Sequence, residues 1–232
     1  MDDGLVARRL ARVRERVAAA CAAAGRDSSD VALLLATKTQ DVTTVRAALV
    51  AAGDAPVLLG ENRVQELVAK APELTDLAPT WHVIGPLQSN KVNAALRWAS
   101  CVESVASVDL ARRLAERAHG SLDVMVQVNV SGEATKHGVT PAQAADLACE
   151  VAALPGLRLT GFMTVGARSA DDAVVAAGYD ALRELRDAVL ASGEAGTEGA
   201  RQLSMGMSGD LELAIACGAT IVRIGTAVFG LR

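Results

Sequence analysis

The feature that most constrains this chain is its regular alternation of short β-branched or aliphatic runs with longer Ala/Leu/Arg/Glu-rich segments. Such alternation is the mark of βα units building a parallel sheet. Eight strand-like runs stand at 31–37, 57–60, 82–85, 101–105, 124–130, 158–165, 202–204 and 221–225. Helical patterns fill 41–52, 62–70, 88–98, 107–119, 141–153, 171–192 and 209–217, with an additional amphipathic helix near 3–24. Eight parallel strands suit a closed (β/α)8 TIM barrel, read here as a single domain over residues 1–232 with an extra N-terminal helix. Gly25, Gly53 and Gly218 stand where left-handed residues end helices, Pro141 suits a first turn, and Ser208 is placed to cap the helix that follows it. The stretch 192–199, rich in Gly, Ser and Glu, reads as a flexible surface excursion.

Composition removes several function classes. The net charge of −4 is spread over well-mixed acids and bases, and the chain holds two Trp, two Phe and one Tyr. Neither a basic footprint nor stacking platforms for bases are present, so nucleic-acid binding is not expected. No apolar run approaches the ~18 residues of a membrane span. Cys21, Cys101, Cys149 and Cys217 are too scattered for metal-ligand or disulfide spacing, and the expectation is buried free thiols in a reducing cytoplasm.

In a (β/α)8 barrel, chemistry sits at the C-terminal ends of the strands, and phosphate sites commonly form from the loops after strands seven and eight. Strand seven runs into Ser204-Met205-Gly206-Met207-Ser208-Gly209-Asp210, and strand eight into Arg223-Ile224-Gly225-Thr226. Both loops offer small residues, backbone N–H groups and hydroxyls. A helix starting near Gly209 would add its positive end to such a cradle. Lys38 follows strand one and shares a face with Ala36 and Leu34, so it stands at the same mouth. A lysine there is ordinarily a solvated charge. Opposite a phosphate cradle, with cations nearby and partial desolvation, it becomes a candidate Schiff-base amine. Arg223 breaks an apolar strand and is read either as an outward residue paired to a helix or as an inward one aimed at a ring nitrogen. His82, inside Trp81-His82-Val83-Ile84, is either a satisfied core histidine or a site residue.

Six ordered blocks then carry a resemblance. They are Ala36-Thr37-Lys38-Thr39, Leu59-Gly60-Glu61-Asn62-Arg63-Val64-Gln65-Glu66, Trp81-His82-Val83-Ile84-Gly85-Pro86 through Lys91, Val128-Asn129-Val130 with Lys136-His137-Gly138, Gly161-Phe162-Met163-Thr164, and Leu203 through Asp210 with Val222 through Thr226. Over about residues 31 to 230 the chain resembles the pyridoxal phosphate homeostasis protein family. The resemblance implies a fold-type III pyridoxal 5′-phosphate (PLP) barrel, related to the N-terminal domain of alanine racemase, with PLP as a Schiff base on Lys38. It further implies cofactor contacts from Asn62, His82, Met163, Ser204, Met207, Ser208, Arg223, Gly225 and Thr226, with Arg223 at the pyridine nitrogen and 204–208 with Gly225 and Thr226 at the phosphate. The family pattern often carries tyrosine, histidine and leucine where Arg63, Pro86 and Phe162 stand here.

The function so implied is PLP (vitamin B6) homeostasis by a non-catalytic cytoplasmic carrier. Its expected partners are PLP and PLP-dependent apo-enzymes, and it is expected to be monomeric. A single-domain PLP-dependent amino-acid racemase is the alternative, and a cofactor-free aldolase-like barrel a third. Against the racemase, the chain ends directly after strand eight, with no second domain to bring a base. The only tyrosine, Tyr179, is expected on an outer helix away from the mouth.

Overall fold

The structure, a computed structural model, describes residues 3–230. Eight strands pair in parallel and in chain order: β1 (Ala32–Ala36), β2 (Leu58–Glu61), β3 (Thr80–Val83), β4 (Ala99–Val105), β5 (Leu122–Gln127), β6 (Leu157–Met163), β7 (Gln202–Ser204) and β8 (Ile221–Ile224). Pairing of β8 with β1 closes the barrel. The outer ring holds α1 (Asp3–Ala23), α2 (Val42–Ala52), α3 (Val64–Lys70), α4 (Val92–Leu96), α5 (Val108–Arg117), α6 (Pro141–Ala152), α7 (Asp172–Ser192), α8 (Leu211–Ala216) and α9 (Thr226–Phe229). This is the (β/α)8 TIM barrel that the alternation implies.

Alternation along each strand sorts the apolar side chains into two layers. Leu34, Cys101, Met125, Met163 and Ile221 point inward and plug the barrel, with Leu58, Ile84 and Val165 against them. The opposite faces, with Leu33, Leu35, Val102, Val124 and Val222 among them, pack under the helices. Each fully buried aliphatic side chain contributes roughly 1.5–3 kcal/mol, so this continuous layer is the main stabiliser of the ring.

The N-terminal helix has a structural role that its sequence alone did not define. Val6, Leu10, Val13 and Val17 recur at four, three and four residues and form one buried stripe. That stripe packs on α2, α8 and α9. Because α9 has only 4 residues, α1 fills the outer-ring slot that a longer helix after β8 would take. Arg16 ties it to α8 through Glu212 at 2.7 Å; with both side chains at least a third exposed, the pair fixes position more than it adds stability.

Several boundaries differ from the sequence pattern. β3 starts at Thr80, before the aliphatic run, and β5 stops at Gln127, after which Val128 bridges to Val139 outside the strand. Pro141 does open α6, beside a Thr140/Gln143 capping box. Ser208 does not cap the helix that follows it: Asp210 stands at the start of α8, which begins two residues later than expected from Gly209. The 192–199 stretch lies at the surface, exposed except at Thr197, which ties it down. Thr197 is buried and donates to the Glu194 carbonyl at 2.6 Å, and a Cβ on Gly196 would meet the Ala152 carbonyl at 2.7 Å. All four cysteines are free, and three are buried. Among the described residues, no helix is long and apolar enough to cross a membrane.

Candidate functional site

At the C-terminal end of the barrel a pocket of about 390 Å³ opens between the loops after β1, β2, β7 and β8. Seven of the ten residues singled out in the sequence line it: Lys38, Asn62, Met207, Ser208, Arg223, Gly225 and Thr226. Ala36, Ile84 and Val165 supply an apolar wall. The volume lies in the small-ligand range, and its pattern of apolar walls with few convergent polar groups is that of a ligand site. A wider polar groove of about 760 Å³ between α4 and α5, lined by Arg112, Arg113 and Arg117 with Asp109 and Glu116, lies on the outer ring away from the strand ends.

The fold brings these side chains together by strand register and by close backbone contacts. Leu34 is opposite Arg223 in the β1–β8 pairing, and Lys38, four residues beyond Leu34, continues that inward face past the strand end. Lys38 is exposed, so the desolvation expected for its amine is not provided by the protein alone. Asn62 is held by Gly85: a Cβ there would stand 2.3 Å from the Asn62 carbonyl oxygen, so only glycine admits this approach.

Below the pocket lies a buried chain of polar groups crossing four strands. Arg223 Nη1 donates to Ser204 Oγ at 2.9 Å, Ser204 Oγ donates to Glu103 Oε2 at 2.6 Å, and Glu103 Oε1 meets His82 Nδ1 at 2.6 Å. A second guanidinium nitrogen of Arg223 donates to the Thr164 carbonyl. Arg223 therefore points inward, and the outward reading is excluded. It is 6% exposed and Glu103 0%, so each is the charge that makes the other tolerable. Burial pushes the Glu103 carboxyl up, but the His82 hydrogen bond and the charges of His82 and Arg223 outweigh this and leave it below its ordinary range. Burial likewise depresses the Arg223 guanidinium, with Glu103 opposing.

His82, Met163 and Ser204 do not line the pocket. His82 and Ser204 belong to the buried chain, and Met163 to the apolar plug. Glu103 was missed, although a lone acid inside Cys101-Val102-Glu103-Ser104-Val105 carries the same signal as Arg223 inside its own apolar strand.

The cradle loop is tied from behind. Gly206 adopts φ +89°, and a Cβ there would strike Ala214 at 2.4 Å. Asp210 Oδ1 accepts from the Met207 N–H at 2.6 Å, while Tyr179 Oη donates to Asp210 Oδ2 at 2.8 Å. Tyr179 is therefore not remote: its helix is outer, but its fully buried ring reaches under the pocket loop. Burial and the Asp210 carboxylate push its hydroxyl well above the ordinary range. Ser208 Oγ accepts from the Ala227 N–H at 3.2 Å, joining the loops after β7 and β8 and keeping its own proton for a ligand oxygen. Asp210 stands at the start of α8, but its carboxylate caps no N–H of that helix and turns instead to Met207 and Tyr179.

The arrangement offers a primary amine, a buried guanidinium and two hydroxyls around an apolar slot. An aldehyde-bearing flat ring with a phosphate arm matches that donor set.

Known proteins point the same way. The family model of the alanine racemase N-terminal domain matches residues 9–232. A pyridoxal phosphate homeostasis protein of Pseudomonas aeruginosa is 45% identical over 98% of this chain and 96% of its own length. A Bifidobacterium adolescentis protein of unknown function has a solved structure with TM-score 0.92 and 43% identity, covering 98% of this chain and 95% of that one. The PipY protein of Synechococcus elongatus, solved with PLP bound, superposes with TM-score 0.83 at 33% identity, covering 97% and 100%. This chain belongs to the alanine racemase N-terminal domain family and, within it, to the pyridoxal phosphate homeostasis proteins.

Proposed function

We propose that this protein binds PLP at the mouth of its barrel, anchored on Lys38, and takes part in intracellular PLP homeostasis as a carrier rather than an enzyme. The observation that carries the reading is that Lys38, Arg223, Ser208 and Thr226 share one pocket of about 390 Å³. Family membership and the PLP-bound PipY relative support the cofactor.

Bound there, PLP supplies an aldehyde that condenses reversibly with a primary amine. Lys38 is that amine. Of the other lysines, Lys70 Nζ contacts three oxygens, Lys136 Nζ donates to Glu133 and to the Gly166 carbonyl, and Lys91 does not line this pocket. Ser208 and Thr226 hold the phosphate, helped by backbone N–H groups near Gly209 and Gly225. Arg223 would face the pyridine nitrogen and, paired with Glu103 through Ser204, would disfavour its protonation. Ala36, Ile84 and Val165 flank the ring, and Asn62 stands beside the ring hydroxyl. His82, Met163 and Ser204 act from beneath by fixing Arg223 and closing the barrel.

The carrier reading is supported by what surrounds the amine. Among the residues lining the pocket, Lys38 and Arg223 are ionisable, and none is a carboxylate, imidazole, thiol or phenol. Two-base proton transfer lacks its second group there. The single-barrel organisation over 1–232, the monomeric state, the cytoplasmic setting and transfer to apo-enzymes are part of the same proposal.

The test is an absorbance spectrum of purified protein with added PLP, followed by amino-acid turnover assays. A visible band lost in Lys38→Ala, without turnover, is the expected result. No band would sink the cofactor reading. Turnover at enzymatic rates would replace the carrier with a racemase-type enzyme.

A further inference from the structure

Lys38 lies between two peptide units held by charged side chains from the next βα unit. On its N-terminal side, the Thr37 carbonyl accepts from Lys70 Nζ at 2.8 Å, and Thr37 Oγ1 donates to Glu61 Oε1 at 2.7 Å. On its C-terminal side, the Thr39 N–H donates to Glu66 Oε2 at 2.5 Å. Thr39 has φ +63°, the left-handed region that a β-branched residue avoids unless its surroundings impose it. Lys70 bridges the acids, lying 2.7 Å from Glu61 and 3.1 Å from Glu66. Lys70 and Glu61 are buried, and α3 carries Glu66 and Lys70 one turn apart. The strained peptide thus sits directly after the anchoring amine, in a turn that Gln40 N–H closes on the Thr37 carbonyl at 3.0 Å, and the Glu66 carboxylate holds its N–H from outside.

From this geometry we infer that Glu66 is a positioning residue for Lys38. It pins Thr39 in its left-handed conformation and so aims the Lys38 side chain across the pocket, while Lys70 holds Glu66 in place. Glu66 does not touch the pocket-lining groups on β7 and β8. Its effect passes through the backbone on either side of Lys38. The inference rests on the PLP reading above for its consequence, but not for the clamp itself.

Two readouts separate the clamp from its consequence. In protein free of PLP, amide hydrogen exchange of a peptide spanning 37–40 reads the clamp, and Glu66→Ala should speed its exchange at least tenfold while the unfolding temperature moves by only a few degrees. With PLP, absorbance titration should show affinity lowered about tenfold in Glu66→Ala. Glu66→Gln, which keeps an acceptor for the Thr39 N–H, should stay within about threefold of wild type. Adding Thr39→Gly to Glu66→Ala should recover most of the affinity, because glycine takes positive φ without a clamp. Unchanged exchange in Glu66→Ala would overturn the clamp. Faster exchange with unchanged PLP affinity, or no recovery on adding Thr39→Gly, would overturn the positioning role. If wild type itself shows no PLP band, the cofactor reading fails, and the exchange data still decide the clamp.

Discussion

Replacing Glu103 by glutamine removes one charge from the middle of the buried chain while leaving its shape nearly unchanged. In the native barrel the carboxylate serves His82 and Ser204, each at 2.6 Å, and balances Arg223 through Ser204. A charge-assisted hydrogen bond contributes about 1.5–3 kcal/mol and a neutral one about 0.5–1.5, so two exchanged bonds lose roughly 2 kcal/mol. Arg223, 6% exposed, also loses its counter-charge, which moves the total toward the ~3–5 kcal/mol of a broken buried pair. The expected loss is about 2–4 kcal/mol. At about 2–4 °C per kcal/mol for a chain of this size, Tm at pH 7 should fall by roughly 5–15 °C. Acid should erase the difference. The folded Glu103 carboxyl lies below its ordinary value of 4.5, so its stabilisation is present above that value and is lost as the pH falls through the folded one. Thermal unfolding of wild type and Glu103→Gln between pH 7 and pH 3 makes the test. A Tm difference under about 2 °C at neutral pH, or one that stays constant on acidification, would refute the idea that Glu103 is the charged partner holding Arg223.

Other outcomes follow from the site. Borohydride reduction of the PLP-loaded protein and peptide mass analysis should find the pyridoxyl group on Lys38, and finding it on Lys70, Lys91 or Lys136 would discard the assignment. Ser208→Ala and Thr226→Ala should each weaken PLP binding about tenfold or more, since each removes a hydrogen bond to an anion of about 1.5–3 kcal/mol. Unchanged affinity in the double variant would place the phosphate elsewhere. Tyr179→Phe removes the 2.8 Å bond to Asp210, and should lower stability by about 1 kcal/mol and speed PLP release by loosening the Met207–Asp210 turn. A release rate equal to wild type in stopped-flow measurements would detach Tyr179 from the cradle.

The barrel was legible because its strands, covered on one face and plugged on the other, are aliphatic runs separated by helices of distinct period. The strand ends were less so, for local reasons. Thr80 and Trp81 belong to β3 but do not read as part of an aliphatic run. Val128, Asn129 and Val130 do look like strand, yet Gly138 packs so closely that a Cβ on it would meet the Asn129 nitrogen at 2.7 Å. The site divided in the same way. Lys38, Ser208, Gly225 and Thr226 follow from strand order alone, whereas the separation of pocket-lining residues from supporting ones depends on which inward positions lie at which depth. His82 and Ser204 are inward but one layer too deep. Tyr179 was misplaced by reading the helix instead of its face: with Val175 and Leu182 at four and three residues, it lies on the buried stripe of α7.

The same layering explains how a chain of net charge −4 presents a pocket suited to an anion. The ionisable residues lining it are Lys38 and Arg223. Two carboxylates beside it face elsewhere: Glu103 is committed to His82 and Ser204, and Asp210 to Tyr179 and the Met207 N–H. Each acid stabilises a group that shapes the pocket, the first holding Arg223 and the second the cradle turn. Because both are already hydrogen-bonded to the protein, neither competes with a phosphate for Ser208 or Thr226. Local sign is therefore set by which charges are already paired rather than by how many the chain carries. A neutral residue at Asp210 would free the Met207 N–H and also untie Tyr179, so the cradle would gain a donor and lose its anchor together. Its rigidity and its charge are one design, and a variant that alters one alters the other.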